Sequence, residues 1–318
     1  MILLLLIIAA GFLFLMKGAD WLIDGVTALA KRYKISDLAV GLVIVAFGTS
    51  LPELVVNIFA SWNNHNGIVF GNIIGSNNFN IFLVLGVTGL ITPLAVQSRT
   101  VSKEIPFLFI SIVVLYVLAN MAFFGDKAGL SRIDGLILLI LFVMFFWYVA
   151  TQLKQRKAPV PAGTKLMKPL KMWLFIIAGL IMLIIGGRFI VNAAVEIAEI
   201  MGVSQNVIGL TVVAAGTSLP ELAASIAAAM KKKADIMIGN IVGSNIFNFF
   251  LIGGVSALVR PLTYDVSFNN ELYFLTLGTI LLFVFMFSGQ KLKLDRWEAI
   301  ILLLLFVSYT VYLIIGGR

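Results

Sequence analysis

The stretch VGLVIVAFGTSLPEL, residues 40–54, returns as IGLTVVAAGTSLPEL at residues 208–222. Both copies lie in long apolar surroundings, yet each carries one carboxylate, Glu53 or Glu221. A charge near the centre of a bilayer costs roughly 2.5 kcal/mol or more. Two carboxylates at matching positions therefore suggest a site that holds a cation. The duplication extends well beyond these segments. At a constant offset of 168, Gly41–Gly86 aligns without a gap with Gly209–Gly254, and 25 of the 46 positions are identical. Within it GNIIGSNNFNIFL faces GNIVGSNIFNFFL. A second match, at an offset of 164, sets GDKAGLSRID (125–134) against GQKLKLDRWE (289–298).

The rest of the chain suits a bilayer. Of 318 residues 61% are hydrophobic and 12% charged, and the mean hydropathy is +1.07. That composition excludes a water-soluble domain of any size. A spanning helix needs about 20 mostly apolar residues. The pattern predicts ten, at 2–29, 38–61, 69–92, 105–124, 133–152, 170–195, 204–229, 236–259, 271–288 and 297–315. The fold class is thus an all-α membrane protein of ten transmembrane helices. The apolar N-terminus lacks a basic leader and continues to Ala30, so it reads as an uncleaved first span. The chain has no cysteine, which removes disulfides and thiolate metal sites.

The net charge of +8 is unevenly spread. With alternating spans, 17 of the 23 basic residues fall on one side, in clusters such as Lys31–Lys34, Lys154–Lys171, Lys231–Lys233 and Lys291–Arg296. This bias places the basic loops in the cytoplasm and both termini outside, as in a multi-pass protein of the cell membrane. The charges set topology; nucleic acid is not an expected partner. The repeat covers five spans per half, an odd number, so the second half enters the membrane from the opposite side. Residues 1–153 and 172–318 are then inverted five-helix repeats, joined by a short basic cytoplasmic linker, 154–171.

The duplicated segments are rich in oxygen. Pro52 and Pro220 have no N–H to give to the carbonyls of Gly48 and Gly216, and backbone groups freed inside a membrane need other partners. Thr49 and Glu53 share a helix face at i,i+4, as do Thr217 and Glu221. Ser50 and Ser218 stand beside them. In the following span Asn72, Ser76 and Asn80 form one stripe, matched by Asn240, Ser244 and Asn248, with Asn77 and Asn245 adjacent. Carboxylates, hydroxyls and amide oxygens without Cys or clustered His suit Ca²⁺, Na⁺ or Mg²⁺ rather than Zn²⁺ or Cu⁺. Small and hydroxyl residues also line helix interfaces in membranes, and for Asn72 and Asn240 a helix–helix hydrogen bond is the expected role.

GTSLPE followed by GNxxGSNxFN, present twice, resembles the alpha repeats of the cation/Ca²⁺ exchanger superfamily, and most closely its prokaryotic Na⁺/Ca²⁺ exchanger branch. The resemblance implies an antiporter that exchanges several Na⁺ for one Ca²⁺ by alternating access. It implies Ca²⁺ between Glu53 and Glu221, with backbone oxygens from Thr49 and Thr217. Flanking Na⁺ sites would use Ala46, Thr49, Ser50 and Ser76 on one side, and Ala214, Thr217, Ser218 and Ser244 on the other. Asn80 and Asn248 would complete the central layer. K⁺-dependent members typically carry Asp where this chain has Asn248, so no K⁺ requirement is expected. Neither GNIIGS nor GNIVGS has the acidic residue usual in the H⁺/Ca²⁺ branch, which favours Na⁺ over the alternative of Ca²⁺/H⁺ antiport. The resemblance also implies that spans one and six slide against the other eight.

The remaining expectations are plainer. Ca²⁺ and Na⁺ are cargo, no cofactor is expected, and the chain is expected to act as a monomer. A passive cation channel and a membrane enzyme are the rival classes, and no HExxH, phosphate loop or His–Asp–Ser arrangement speaks for the second. Asp20 and Asp24 read as the outer half of span one, either drawing cations to a vestibule or pairing with Lys17. Arg188, the repeat counterpart of Asp20, is expected to pair with an acid such as Glu196 or to snorkel outward. His65 reads as a solvated loop residue, and Phe145–Tyr148 as lipid-facing or interfacial surface.

Overall fold

A computed structural model of the chain describes residues 1–97, 100–121, 128–155, 166–201, 214–289 and 292–316. The described residues are overwhelmingly helical. In chain order the elements are α1 (Ile2–Tyr33), α2 (Asp37–Thr49), α3 (Leu51–Trp62), α4 (Asn66–Ile91), β1 (Leu94–Ala95), α5 (Thr100–Met121), β2 (Gly129–Leu130), α6 (Arg132–Gln155), α7 (Pro169–Ile200), α8 (Ala214–Thr217), α9 (Leu219–Met230), α10 (Ala234–Val259), β3 (Leu262–Thr263), α11 (Val266–Phe285), β4 (Lys293–Leu294) and α12 (Arg296–Gly316).

Among the described residues eight helices are long and apolar enough to cross a membrane: α1, α4, α5, α6, α7, α10, α11 and α12. A ninth span is the pair α2 and α3, bent by 46°. Of the predicted span 204–229, residues 204–213 lie outside the described set, and α8 with α9 is what is seen of it. Most of the linker, 156–165, is likewise outside it.

The two breaks fall where the sequence places proline. Pro52 and Pro220 sit in the first turns of α3 and α9. The serine ahead of each helix leaves helical geometry, Ser50 at φ −84°, ψ 6° and Ser218 at φ −89°, ψ 4°. This is the sparsely populated bridge region, common at functional sites. The neighbouring asparagine helices are widened rather than broken. A π turn spans Phe79–Val84 inside α4, and its counterpart Asn248–Ile252 lies inside α10. Single π turns inside helices are rare and gather at functional positions.

Packing follows small residues. α1 runs antiparallel along α7, Gly11 against Gly186 and Gly18 against Gly179. A Cβ on Gly11 would stand 2.9 Å from Gly186 O, and one on Gly18 2.8 Å from Gly179 O, so only glycine permits this approach. Gly11 and Gly179 are 168 apart, as are Gly18 and Gly186, so each contact repeats the other with the halves exchanged. α4 and α10 hold the centre. Their apolar windows are 78% and 83% buried, against 44% or less for the other six long helices.

Two short strand pairs, which the sequence did not signal, tie the loops together. β1 pairs antiparallel with β4, Leu94 opposite Leu294, and β2 with β3, Leu130 opposite Leu262. Each pair joins a loop of the first half to a loop of the second. The β1–β4 pair brings the loop before Lys103 to the loop before Arg296, both assigned to the basic side.

Two expectations need correcting. Asp20 and Asp24 do not pair with Lys17. Both pair with Lys231, at 3.3 and 2.8 Å, in a loop assigned to the basic side. The Phe145–Tyr148 run is not all lipid-facing either. Phe146 and Trp147 are exposed, but Phe145 is buried against Phe107, and the Tyr148 hydroxyl donates to Glu104 at 2.8 Å. A helix turns 100° per residue, so four consecutive side chains cannot share one face. Arg188 is exposed, and His65 is an exposed residue preceding α4.

Candidate functional site

The bend after α2 and the break after α8 bring the first turns of α3 and α9 together, with α4 and α10 alongside. Glu53 and Glu221 are each only 1% exposed. One oxygen of each is held by the serine at the other half's break. Ser218 Oγ donates to Glu53 Oε1 at 3.2 Å, and Ser50 Oγ donates to Glu221 Oε1 at 2.9 Å. The threonines cross over in the same way, Thr49 Oγ1 to Asn240 Oδ1 at 3.2 Å and Thr217 Oγ1 to Asn72 Oδ1 at 3.1 Å. So do the asparagines of the widened turns, Asn80 Nδ2 to Asn245 Oδ1 and Asn248 Nδ2 to Asn77 Oδ1, both at 3.0 Å. Every one of these bonds has a mirror bond between residues 168 positions removed.

These bonds use Nδ2 of Asn80 and Asn248 and one oxygen of each carboxylate. They leave Glu53 Oε2, Glu221 Oε2, Asn80 Oδ1 and Asn248 Oδ1 buried and, among the described residues, without a hydrogen-bond partner; Ser244 Oγ is left the same way. A buried acceptor without a donor costs about 1–3 kcal/mol, and more when it is charged. Ion pairs form elsewhere, at Lys231, Lys233 and Lys293. Orphaned acceptors of this kind match the lone-pair demand of a hard cation. Among the described residues no three of His, Cys, Asp and Glu are grouped, so the donor set is two carboxylates with neutral oxygens, unsuited to a soft metal.

The other expected site residues fall close by. Ser76 Oγ donates to Asn72 Oδ1 at 3.5 Å. The carbonyl of the buried Ala46 accepts from Ser50 N at 3.0 Å and from Thr49 Oγ1 at 3.4 Å. Ala214 opens α8, next to residues outside the described set. Asn77 and Asn245 bridge α4 and α10. Asn72 makes the expected contact between helices, its Nδ2 donating to Asn57 Oδ1 at 3.3 Å, and Asn240 Nδ2 donates to Ser225 Oγ at 3.0 Å. Sequence reasoning missed Asn57 and Ser225. Their signal was present: each follows its glutamate by four residues and so lies on the same helix face.

The sequence model of the family described as sodium/calcium exchanger protein matches residues 3–151 and 171–315. The chain belongs to the sodium/calcium exchanger family. The sodium/calcium exchanger MaX1 of Methanosarcina acetivorans is 30% identical over 97% of this chain and 97% of its own length. The inner membrane protein YrbG of Escherichia coli is 33% identical over 80% of this chain and 79% of its own. Among solved structures, the sodium-calcium exchanger NCX_Mj soaked with 10 mM Na⁺ and zero Ca²⁺ superposes with a TM-score of 0.84 at 31% identity, covering 98% of this chain and 100% of that one. The chain thus has the membrane fold of an exchanger. This sodium/calcium exchanger family consists of transporters, not enzymes, and its members work by antiport of cations.

Proposed function

We propose that this protein is a Na⁺/Ca²⁺ antiporter of the cell membrane, with Glu53 and Glu221 as the paired carboxylates of one central site. One observation carries the reading: four buried oxygens, Oε2 of both glutamates and Oδ1 of Asn80 and Asn248, lack donors among the described residues. Ca²⁺ held between them balances two negative charges. Thr49, Ser50, Ser76 and Ala46 on one side, and Thr217, Ser218, Ser244 and Ala214 on the other, are the proposed ligands of flanking Na⁺, with Asn77 and Asn245 supporting the central layer. The empty site holds two uncompensated charges, and enclosing them is costly. Either load of cations removes that cost and permits the change of access, so the fluxes are coupled. More than two Na⁺ per Ca²⁺ makes the exchange electrogenic.

The ten-span arrangement as two inverted halves is part of the same proposal. It is supported by the mirrored hydrogen bonds, the mirrored glycine contacts of α1 and α7, and the two strand pairs that each join one half to the other. Those glycine contacts also support α1 and α7 moving as one unit. Both termini lie outside in this reading, each monomer holds a complete site, and with amides at Asn80 and Asn248 no K⁺ is needed.

The test is Ca²⁺ uptake into vesicles holding the purified protein, driven by an outward Na⁺ gradient with pH clamped and K⁺ absent. Uptake is expected in the wild type and lost in Glu53→Gln and Glu221→Gln. Uptake that follows an imposed pH gradient and ignores Na⁺ would overturn the choice of coupling ion. Retained Na⁺-driven uptake in both variants would overturn the site.

A further inference from the structure

The threonine hydroxyls stand beside the carboxylates, Thr217 by Glu53 and Thr49 by Glu221. A hydroxyl has one proton to give and lone pairs to offer. A proton given to the carboxylate occupies a lone pair that a cation would use. Here the proton has other acceptors: Asn72 Oδ1 for Thr217, and Asn240 Oδ1 or Val45 O for Thr49. An asparagine turned the other way would present Nδ2 instead. The threonine would then accept from the amide, and the carboxylate would become an outlet for its proton, alone or, for Thr49, in competition with Val45 O.

The orientation of both amides is fixed one layer further out. Asn72 Nδ2 donates to Asn57 Oδ1, and Asn240 Nδ2 donates to Ser225 Oγ at 3.0 Å and, at a longer 3.4 Å, to Glu221 O. Asn57 and Ser225 are both fully buried and 168 positions apart, so they hold the same place in the two halves. Their side chains differ in size and shape, and each presents to the asparagine an oxygen that accepts from it.

We infer that Asn57 and Ser225 are positioning residues: by accepting from Asn72 and Asn240 they turn those amide oxygens toward Thr217 and Thr49, which keeps the threonine protons off Glu53 and Glu221 and leaves the carboxylates free for the cation. The inference rests on the site proposed above. A packing role alone would make size the deciding property; the geometry makes it the acceptor.

The experiment uses the full chain in detergent, titrated separately with Ca²⁺ and with Na⁺, and follows the rise in thermal midpoint that binding produces. Asn57→Leu and Ser225→Ala remove the acceptor. Asn57→Ser and Ser225→Asn exchange the two halves' own residues and keep it. The removals are expected to raise the half-saturating cation concentration about tenfold, and the exchanges to stay within about threefold of wild type, in line with the effect of outer partners on metal affinity. The cation-free midpoint of Ser225→Ala should stay close to wild type. If Asn57→Leu does not fold, Ser225→Ala and the exchanges decide. Removals that titrate like wild type, or exchanges that lose as much as removals, would overturn the inference. Glu53→Gln and Glu221→Gln are titrated in parallel. Loss of response in these alone, with Asn57 and Ser225 variants unaffected, defeats the positioning role and leaves the site standing. Full response in both defeats the site, and the inference with it.

Discussion

Replacing Gly18 by alanine tests the closeness of α1 and α7. The new methyl carbon would stand 2.8 Å from Gly179 O, 2.9 Å from Leu183 N and 2.9 Å from Met182 Cβ. Ordinary contact begins at 3.4 Å, so the shortfall is 3.4 − 2.8 = 0.6 Å. Two of the three obstructing atoms are backbone and the third is a Cβ, and none can rotate away. The helices must part or shift, and Gly11 and Gly25 against α7 are strained with them. Overpacking of this kind costs about 1–3 kcal/mol. For a chain of this size that corresponds to a fall in the unfolding midpoint on the order of 5 °C. The assay is thermal unfolding in detergent without added cations, with Gly67→Ala as control, since among the described residues nothing lies within 4 Å of a Cβ there. A Gly18→Ala midpoint equal to that of wild type and control would refute the close-packed seam.

Three further outcomes are expected. Lys231→Ala removes two ion pairs whose side chains are 28–51% exposed, so it should cost ~1 kcal/mol or less, and the difference from wild type should shrink in high salt. Asn120 and Asn269 exchange hydrogen bonds at 3.1 and 3.0 Å, so a double-mutant cycle to alanine should give a coupling energy of roughly 0.5–3 kcal/mol; additive effects would contradict the pair. Tyr148→Phe withdraws a hydroxyl from the buried Glu104 and should lower stability by about 1–3 kcal/mol in chemical unfolding, whereas Tyr312→Phe, at an exposed ring, should not.

The sequence made the candidate site legible because its chemistry is local and repeated. Glu53 with Thr49, and Asn72 with Ser76 and Asn80, fall on helix faces by spacing alone, and the second copy singles out the same positions. The prolines announced the breaks that place Ser50 and Ser218 opposite the far carboxylates. What spacing cannot give is the partner across the molecule. The strand pairs were invisible because two residues, Leu94–Ala95 or Lys293–Leu294, make no periodic pattern and pair only once the helices around them are in place. Asp20 was misread for a related reason: its partner, Lys231, is distant in sequence and reaches it only through the packing of α9 against α1. The aromatic run at Phe145 was read by composition, while helical rotation decided its faces.

The two strand pairs carry a consequence for how the polypeptide holds together. Each is a clasp with one arm from either half, β1 on β4 and β2 on β3, and the halves also interlock at the glycine seam and the central asparagines. Register between the halves is then set by these contacts as well as by the covalent link. Two fragments produced separately, cut between α6 and α7, are expected to associate in the bilayer, and co-purification of one with the other is the check.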